Sequence, residues 1–201
     1  MGLLATLVER VSDHPVLFIF FRSLLENDFK AIRARIRAHL DLGPGVRSVD
    51  IGCGPGAFSD LFAAGEYAGV DLNARYIAYA QRHKKGHFVC ADAQHTGLPD
   101  ASFDQVLIFG MLHHLPDDVV RGVLAECRRL LVPGGRVLAI EDIPAVSKLN
   151  LIGHLIHNVE NGEHIRPTEE YRRLYGEIAR VEHEETLRSG ICDYYAAILK
   201  F

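Results

Sequence analysis

Val49-Asp50-Ile51-Gly52-Cys53-Gly54-Pro55-Gly56-Ala57, continued by Phe58-Ser59-Asp60-Leu61-Phe62, runs from β-branched residues through three glycines into further apolar positions. It reads as a buried strand, a sharp turn and a helix over residues 56–64. Glycines at 52, 54 and 56 let the backbone turn tightly and leave no Cβ between it and a ligand. Such a strand-to-helix edge usually holds a nucleotide-like group. Asp50, two residues before the first glycine, repels phosphate and attracts a cation. Gly52-x-Gly54-x-x-Ala57 also satisfies the dinucleotide pattern. A pyrophosphate there would lie near Asp50, however, with no Lys or Arg in the turn to offset it. Adenosine with a cationic amino acid tail suits the frame better.

Outward from this stretch, strands and helices alternate, the pattern of a parallel sheet covered on both faces. Strand one covers residues 46–51, strand two 67–71, strand three 87–91, strand four 103–109 and strand five 136–141. Helices are expected at 74–83, capped by Asn73, and at 116–131, opened by Pro116 with Asp117 and Asp118 in its first turn. Upstream, a short helix over residues 2–12 and a longer one from Pro15 to about Leu40 precede the stop Gly43-Pro44-Gly45. Downstream, helices near 145–157 and 168–178 lead to strands at 180–187 and 193–200. Arg188-Ser189-Gly190 between those strands is too short for anything but an antiparallel hairpin.

Three acids fall at consecutive strand ends and should line one cleft. Asp71 is placed for the two hydroxyls of a ribose, Asp92 followed by Ala93 for the exocyclic amine of an adenine, and Asp50 for a cationic amino acid end.

With 201 residues, 48% of them hydrophobic, the chain forms one ordinary soluble domain. A net charge of −4 argues against a nucleic-acid surface, which needs clustered Lys and Arg. Cys53, Cys90, Cys127 and Cys192 show no paired spacing and read as reduced thiols of a cytoplasmic protein. The longest apolar run, Pro15 to Phe21, is too short to span a bilayer, and the N-terminus lacks signal-peptide features.

VDIGCGPGAFS, GVDLNARYIAYAQ, FVCADAQHTGLPDASFDQVLIFGMLHHLPD and RLLVPGGRVLAIED resemble, in order and spacing, the motifs of class I S-adenosylmethionine-dependent methyltransferases. The resemblance runs from about residue 46 to residue 142 and includes the terminal hairpin. It implies a Rossmann-like, doubly wound α/β sheet of seven strands, order 3-2-1-4-5-7-6, with strand seven antiparallel. It implies S-adenosylmethionine as methyl donor, leaving S-adenosylhomocysteine, and cofactor contacts at Asp50, Gly52, Cys53, Gly54, Gly56, Asp71, Leu72, Asp92, Ala93 and Phe109. Cys53 is expected to act through its backbone. One methyltransferase domain over residues 1–201 then divides into a helical cap (1–42), a cofactor core (43–142) and a substrate-side segment with the hairpin (143–201).

The acceptor side rests on fewer signals. His113 and His114 follow strand four, and either could serve as a general base. Phe18 and Phe21 at the front of the N-terminal helix suggest a lid over a partly apolar small molecule, or contact with a lipid surface. Glu163, His164 and Arg166, in the polar stretch 158–167, and His114 are candidates to hold the acceptor. His154, His157, Glu160 and His164 lack a flanking acid motif, so no metal site is expected. The expected reading is methyl transfer to oxygen, nitrogen or carbon by a monomer or homodimer. A non-catalytic cofactor-binding module and an NAD(P)-dependent oxidoreductase are the alternatives.

Overall fold

The computed structural model describes residues 14–63, 65–145 and 164–201. In order come α1 (Pro15–Leu25), α2 (Lys30–His39), β1 (Arg47–Ile51), β2 (Glu66–Asp71), α3 (Ala74–His83), β3 (His87–Cys90), β4 (Phe103–Phe109), α4 (Asp117–Leu130), β5 (Leu131–Asp142), α5 (Thr168–Gly176), β6 (Arg180–Ser189) and β7 (Cys192–Lys200). The strands form one sheet ordered β3-β2-β1-β4-β5-β7-β6. β1 to β5 are parallel, and β7 runs antiparallel to both β5 and β6. This is the expected topology, and its strand order reverses between β1 and β4, where an open parallel sheet forms its ligand crevice.

Alternation along the strands builds two cores. Val49, Ile51, Val106, Ile108, Val137 and Ala139 face one layer with α4 and α5. Leu107, Leu138, Ile140 and Ala196 face the other, with Ile32 and Ile36 of α2 and Ile77 and Ala80 of α3. In α4, Val120, Val123, Leu124, Cys127 and Leu130 are fully buried at helical spacing, and each such aliphatic side chain contributes about 1.5–3 kcal/mol. Asp50 lies between Val49 and Ile51, so the pleat turns its carboxyl into the α2–α3 layer.

Three expectations need correction. The single helix over 15–40 is two helices, because Asn27, Asp28 and Phe29 all take left-handed φ angles of 51°, 57° and 52°. Asn and Asp tolerate that region, and Ser23 Oγ donates to Asp28 Oδ1 at 2.9 Å. Phe29 is held there by its buried ring, edge-on to Phe58 at 5.5 Å and to Phe109 at 5.9 Å. The helix expected over 56–64 is only a 3-10 turn, Ser59–Phe62, after the glycine turn. β5 begins at Leu131 instead of Arg136, since Leu131 pairs with Phe103 before Pro133-Gly134-Gly135 and the register shifts past them. The helices expected at 2–12 and 145–157 lie wholly or almost wholly outside the described residues. Among the described residues no helix is long and apolar enough to cross a membrane.

Candidate active site

The glycine turn is stitched to the end of β2. Gly52 and Cys53 N–H both donate to the Val70 carbonyl, at 2.8 and 3.0 Å. Gly54 N–H donates to Asp71 Oδ2 and Asn73 N–H to Asp71 Oδ1, each at 2.8 Å. The Asp71 carboxylate thus braces the turn against the start of α3, and each oxygen retains a lone pair. Burial pushes the Asp71 carboxyl above its ordinary range, against the pull of those two amides. Asn73 caps α3 as expected, accepting from Arg75 and Tyr76 N–H at 3.0 and 3.4 Å.

Gly52 and Gly54 are partly exposed on the crevice, with left-handed φ angles of 77° and 53°. A Cβ on Gly52 would also meet Met111 Sδ at 2.7 Å, but Gly56 is the buried one, where a Cβ would meet the Lys84 stem and the Phe88 ring, both at 3.2 Å. It is a packing glycine, not a ligand-facing one. Leu72 is 73% exposed beside Asp71. Asp92 is exposed at the end of β3, where its Oδ1 accepts Gln94 N–H at 2.8 Å, and Ala93 packs partly buried on the core.

Asp50 is not open to the cleft. It is 2% exposed beneath the turn, and Tyr67 Oη donates to its Oδ2 at 2.8 Å. Burial, aided by the charge of Asp71, pushes its carboxyl up to about 7. Cys53 is buried, with Sγ 2.8 Å from where a Cβ on Gly69 would stand, so its thiol faces the sheet. Burial pushes that thiol well above its ordinary range, which removes thiolate chemistry and leaves the backbone facing the turn.

On the acceptor side, α1 lies over this cleft. The Phe18 ring sits 5.3 Å from Tyr76, whose Cδ2 is 3.9 Å from a Cβ built on Gly54. Phe21 instead belongs to the outer face of α1: it is 42% exposed and meets Phe20 edge-on. Phe109 packs against Phe58 at 5.1 Å and Tyr194 at 5.6 Å, with the Arg22 guanidinium 5.8 Å above its ring. It forms the floor beneath α1.

Past β4 the two histidines part company. His113 is 4% exposed and its Nδ1 meets Glu141 Oε2 at 2.9 Å and Asp142 Oδ2 at 3.6 Å. Glu141 is fully buried and also accepts the N–H groups of Met111, Leu112 and His113, capping the 3-10 turn Leu112–His114. Burial disfavours the imidazolium of His113, but the bond to Glu141 and the charges of Asp142 and Glu141 prevail, and its pKa is raised. His114, its ring 4.0 Å from that of His113, is exposed.

Arg166 corrects the sequence reading. It is 5% exposed and its guanidinium donates to Asp117 Oδ1 and to the carbonyls of Leu112, Leu115 and His164, at 2.6–3.0 Å. Those bonds occupy it in holding the histidine turn, so it does not reach an acceptor. His164 is partly buried and its N–H donates to the His113 carbonyl at 3.0 Å. Glu163 lies outside the described residues.

The sequence reading missed Arg22, Glu26, Glu141, Asp142 and Tyr194. Arg22 pairs with the buried Glu26 at 2.5 Å and donates to Tyr194 Oη at 3.3 Å. A Cβ built on Gly110 would lie 3.7–3.9 Å from Arg22 Nη2, His113 Cε1 and Asp142 Oδ2, so three ionisable groups converge over that glycine. Asp142 Oδ2 is buried and has no hydrogen-bond partner among the described residues. Glu141 and Asp142 obey the same strand-end rule that singled out Asp50, Asp71 and Asp92. Nothing local marks Arg22.

Known proteins resemble the chain in sequence and in fold. Residues 49–139 match the family model described as a methyltransferase domain. The ubiquinone biosynthesis O-methyltransferase of Xanthomonas oryzae pv. oryzae is 31% identical over 128 residues, covering 59% of this chain and 52% of the relative. The chain therefore spans about half the length of that curated relative. A SAM-dependent methyltransferase from Archaeoglobus fulgidus superposes with a TM-score of 0.66 at 21% identity, over 91% of this chain and 99% of that one. A magnesium protoporphyrin IX methyltransferase from Synechocystis with bound SAH does so with a TM-score of 0.62 at 20% identity, over 87% and 81%. Residues 49–139 thus match a methyltransferase domain, and the chain shares its fold with solved S-adenosylmethionine-dependent methyltransferases.

Proposed function

We propose that this chain transfers a methyl group from S-adenosylmethionine to a hydroxyl of a small, partly apolar acceptor, with the whole described fold acting as one methyltransferase unit. The observation that carries the reading is the convergence of Arg22, His113 and Asp142 over Gly110, just beyond β4 and beside the glycine turn of β1. Polar groups there meet an acceptor between Phe18 of α1 above and Phe109 at the floor. The O-methyltransferase name of the Xanthomonas relative supports oxygen as the acceptor atom.

The donor set fits a cationic, phosphate-free group. Asp71 offers a lone pair on each oxygen beside two exposed-backbone glycines, and Leu72 offers an apolar surface next to it. The basic residues at the turn are engaged elsewhere: Lys84 presents its stem to Gly56 while its charge acts on Asp60, and Arg33 donates to the Ala57 carbonyl and to Asp60. On this reading Asp71 holds the ribose hydroxyls, the backbone at 52–54 approaches the amino acid end, and the Asp92–Ala93 turn faces the adenine.

When bound, S-adenosylmethionine supplies a methyl already activated on sulfonium sulfur, so holding the nucleophile in line supplies most of the acceleration. Exposed His114 takes the acceptor's hydroxyl proton, while His113, bonded to Glu141 and close to Asp142, fixes the turn that carries it. Arg22 and Asp142 orient the acceptor. The test is titration calorimetry with S-adenosylhomocysteine and with NAD+, followed by label transfer from S-adenosylmethionine to an ortho-dihydroxy aromatic carrying an apolar tail. Binding of the first ligand alone and label on the phenol are expected. Binding of NAD+ instead overturns the cofactor assignment, and binding without transfer to any hydroxylated acceptor reduces the protein to a cofactor-binding module.

A further inference from the structure

We propose that His39, His183 and Glu185 form a site for one divalent transition-metal ion of the Zn2+ and Ni2+ class, clamping α2 to β6. No sequence motif announces it, because His39 and Glu185 are 146 positions apart. His39 is the last residue of α2, whereas His183 and Glu185 alternate along β6 and share one face. They pair across β7 with Ile198 and Ala196, whose side chains belong to the layer packed against α2.

One ligand atom from each of the three lies within 4.8 Å of the other two. His39 Nε2 is 3.1 Å and His183 Nε2 3.8 Å from the same oxygen, Glu185 Oε1, and the imidazole centroids are 5.0 Å apart. Metal–nitrogen and metal–oxygen bonds of about 2.0–2.2 Å in a tetrahedral site set the ligand atoms about 3.4 Å apart. The two distances to Glu185 Oε1 bracket that value, and the imidazole nitrogens, within 4.8 Å of each other, reach it by side-chain rotation. Arg35 Nε holds the other carboxylate oxygen, Oε2, at 2.8 Å, which fixes Oε1 toward the histidines in the manner of an outer-shell partner. Side-chain exposures of 20%, 54% and 25% for His39, His183 and Glu185 leave an open side for the ion and a water ligand. Two imidazoles with one carboxylate suit Zn2+, Ni2+ or Cu2+ and disfavour Mg2+ and Ca2+. On loading, His39 shifts its proton to Nδ1, so that the Nε2 lone pair faces the ion.

The test is calorimetric titration of the full chain with Zn2+ and, separately, Mg2+, with the visible spectrum of added Co2+ as a second readout. One Zn2+ per chain, a tetrahedral Co2+ spectrum and no response to Mg2+ are expected. His183→Ala removes a largely exposed ligand and leaves the His39–Glu185 contact in place; it should weaken Zn2+ at least tenfold, as should His39→Ala. Binding of S-adenosylhomocysteine should be unchanged in both, since β6 is the sheet edge away from β1. Absence of Zn2+ binding below millimolar concentration overturns the site. So does wild-type Zn2+ affinity in either variant.

Discussion

Tyr67 Oη donates to Asp50 Oδ2 at 2.8 Å beneath the glycine turn, and Asp50 is 2% exposed there. A carboxyl buried with one neutral donor is poorly solvated as an anion, so its pKa rises from 3.8 to about 7. Between those values the unfolded chain has released the proton and the folded chain keeps it. Folding therefore loses stability as pH climbs from about 4 to about 7, and the loss is complete above that.

Asp50→Asn removes the titration while leaving an oxygen for Tyr67. It should stabilise the fold by on the order of 1–3 kcal/mol at pH 8 and leave it nearly unchanged at pH 4. Urea melts at the two pH values check this; equal shifts at both would refute the buried-carboxyl account. A cationic donor should also draw the proton off, so wild-type affinity for S-adenosylmethionine should rise from pH 6 to pH 8 and stay flat in the variant.

Asp71 does two things with one carboxylate, bracing Gly54 and Asn73 and presenting its remaining lone pairs to the cleft. Asp71→Ala should weaken S-adenosylhomocysteine at least tenfold, about 1.4 kcal/mol, while lost amide bonds lower stability by about 1–2 kcal/mol. Calorimetry and thermal melts separate the two effects. Unchanged affinity in a folded variant would show that the carboxylate only braces the turn.

The two histidines make opposite predictions. His113 bridges buried Glu141 and Asp142, and its pKa is raised by them. The stability it supplies is full below about pH 6.5, the imidazole's ordinary value, and is lost as pH rises through the elevated one. His113→Ala should destabilise the fold by about 2–4 kcal/mol at pH 6, since two buried acids lose their cation, and by less at pH 9. His114→Ala should leave melts within about 0.5 kcal/mol and lower turnover about 10²-fold or more, the usual scale for a lost general base. A pH–rate profile that keeps its acidic limb in His114→Ala would return the proton-transfer role to another group.

The glycine turn, the strand-end acids and the sheet were legible because their signals are local. Glycine spacing and acids at strand ends are set by neighbours in sequence, and the alternation of elements forces the parallel sheet. The acceptor half depends on contacts between distant segments. Arg22 reaches Tyr194 across 172 positions, and Arg166 reaches Leu112 across 54. Nothing at 166 distinguishes a guanidinium that meets substrate from one spent on carbonyls. The break at Asn27-Asp28-Phe29 was hidden for a related reason. Asn and Asp hint at a turn, but the ring that holds Phe29 left-handed packs on Phe58 and Phe109, far along the chain.

Arg166 gives the sharpest test of that distinction. Its bonds to Leu112, Leu115 and His164 carbonyls and to Asp117 tie residues 164–167 to the turn bearing His113 and His114. Arg166→Ala strands buried carbonyls, so a loss of about 2–4 kcal/mol is expected. Arg166→Lys should recover little, because one ammonium cannot serve a planar fork of four acceptors. If Arg166 bound the acceptor instead, the lysine variant would keep wild-type stability and show only a raised KM. Melts of both variants, read beside KM and kcat, decide between the roles. The arrangement seen here predicts that stability and kcat fall together as the histidine turn loosens, with KM changing least.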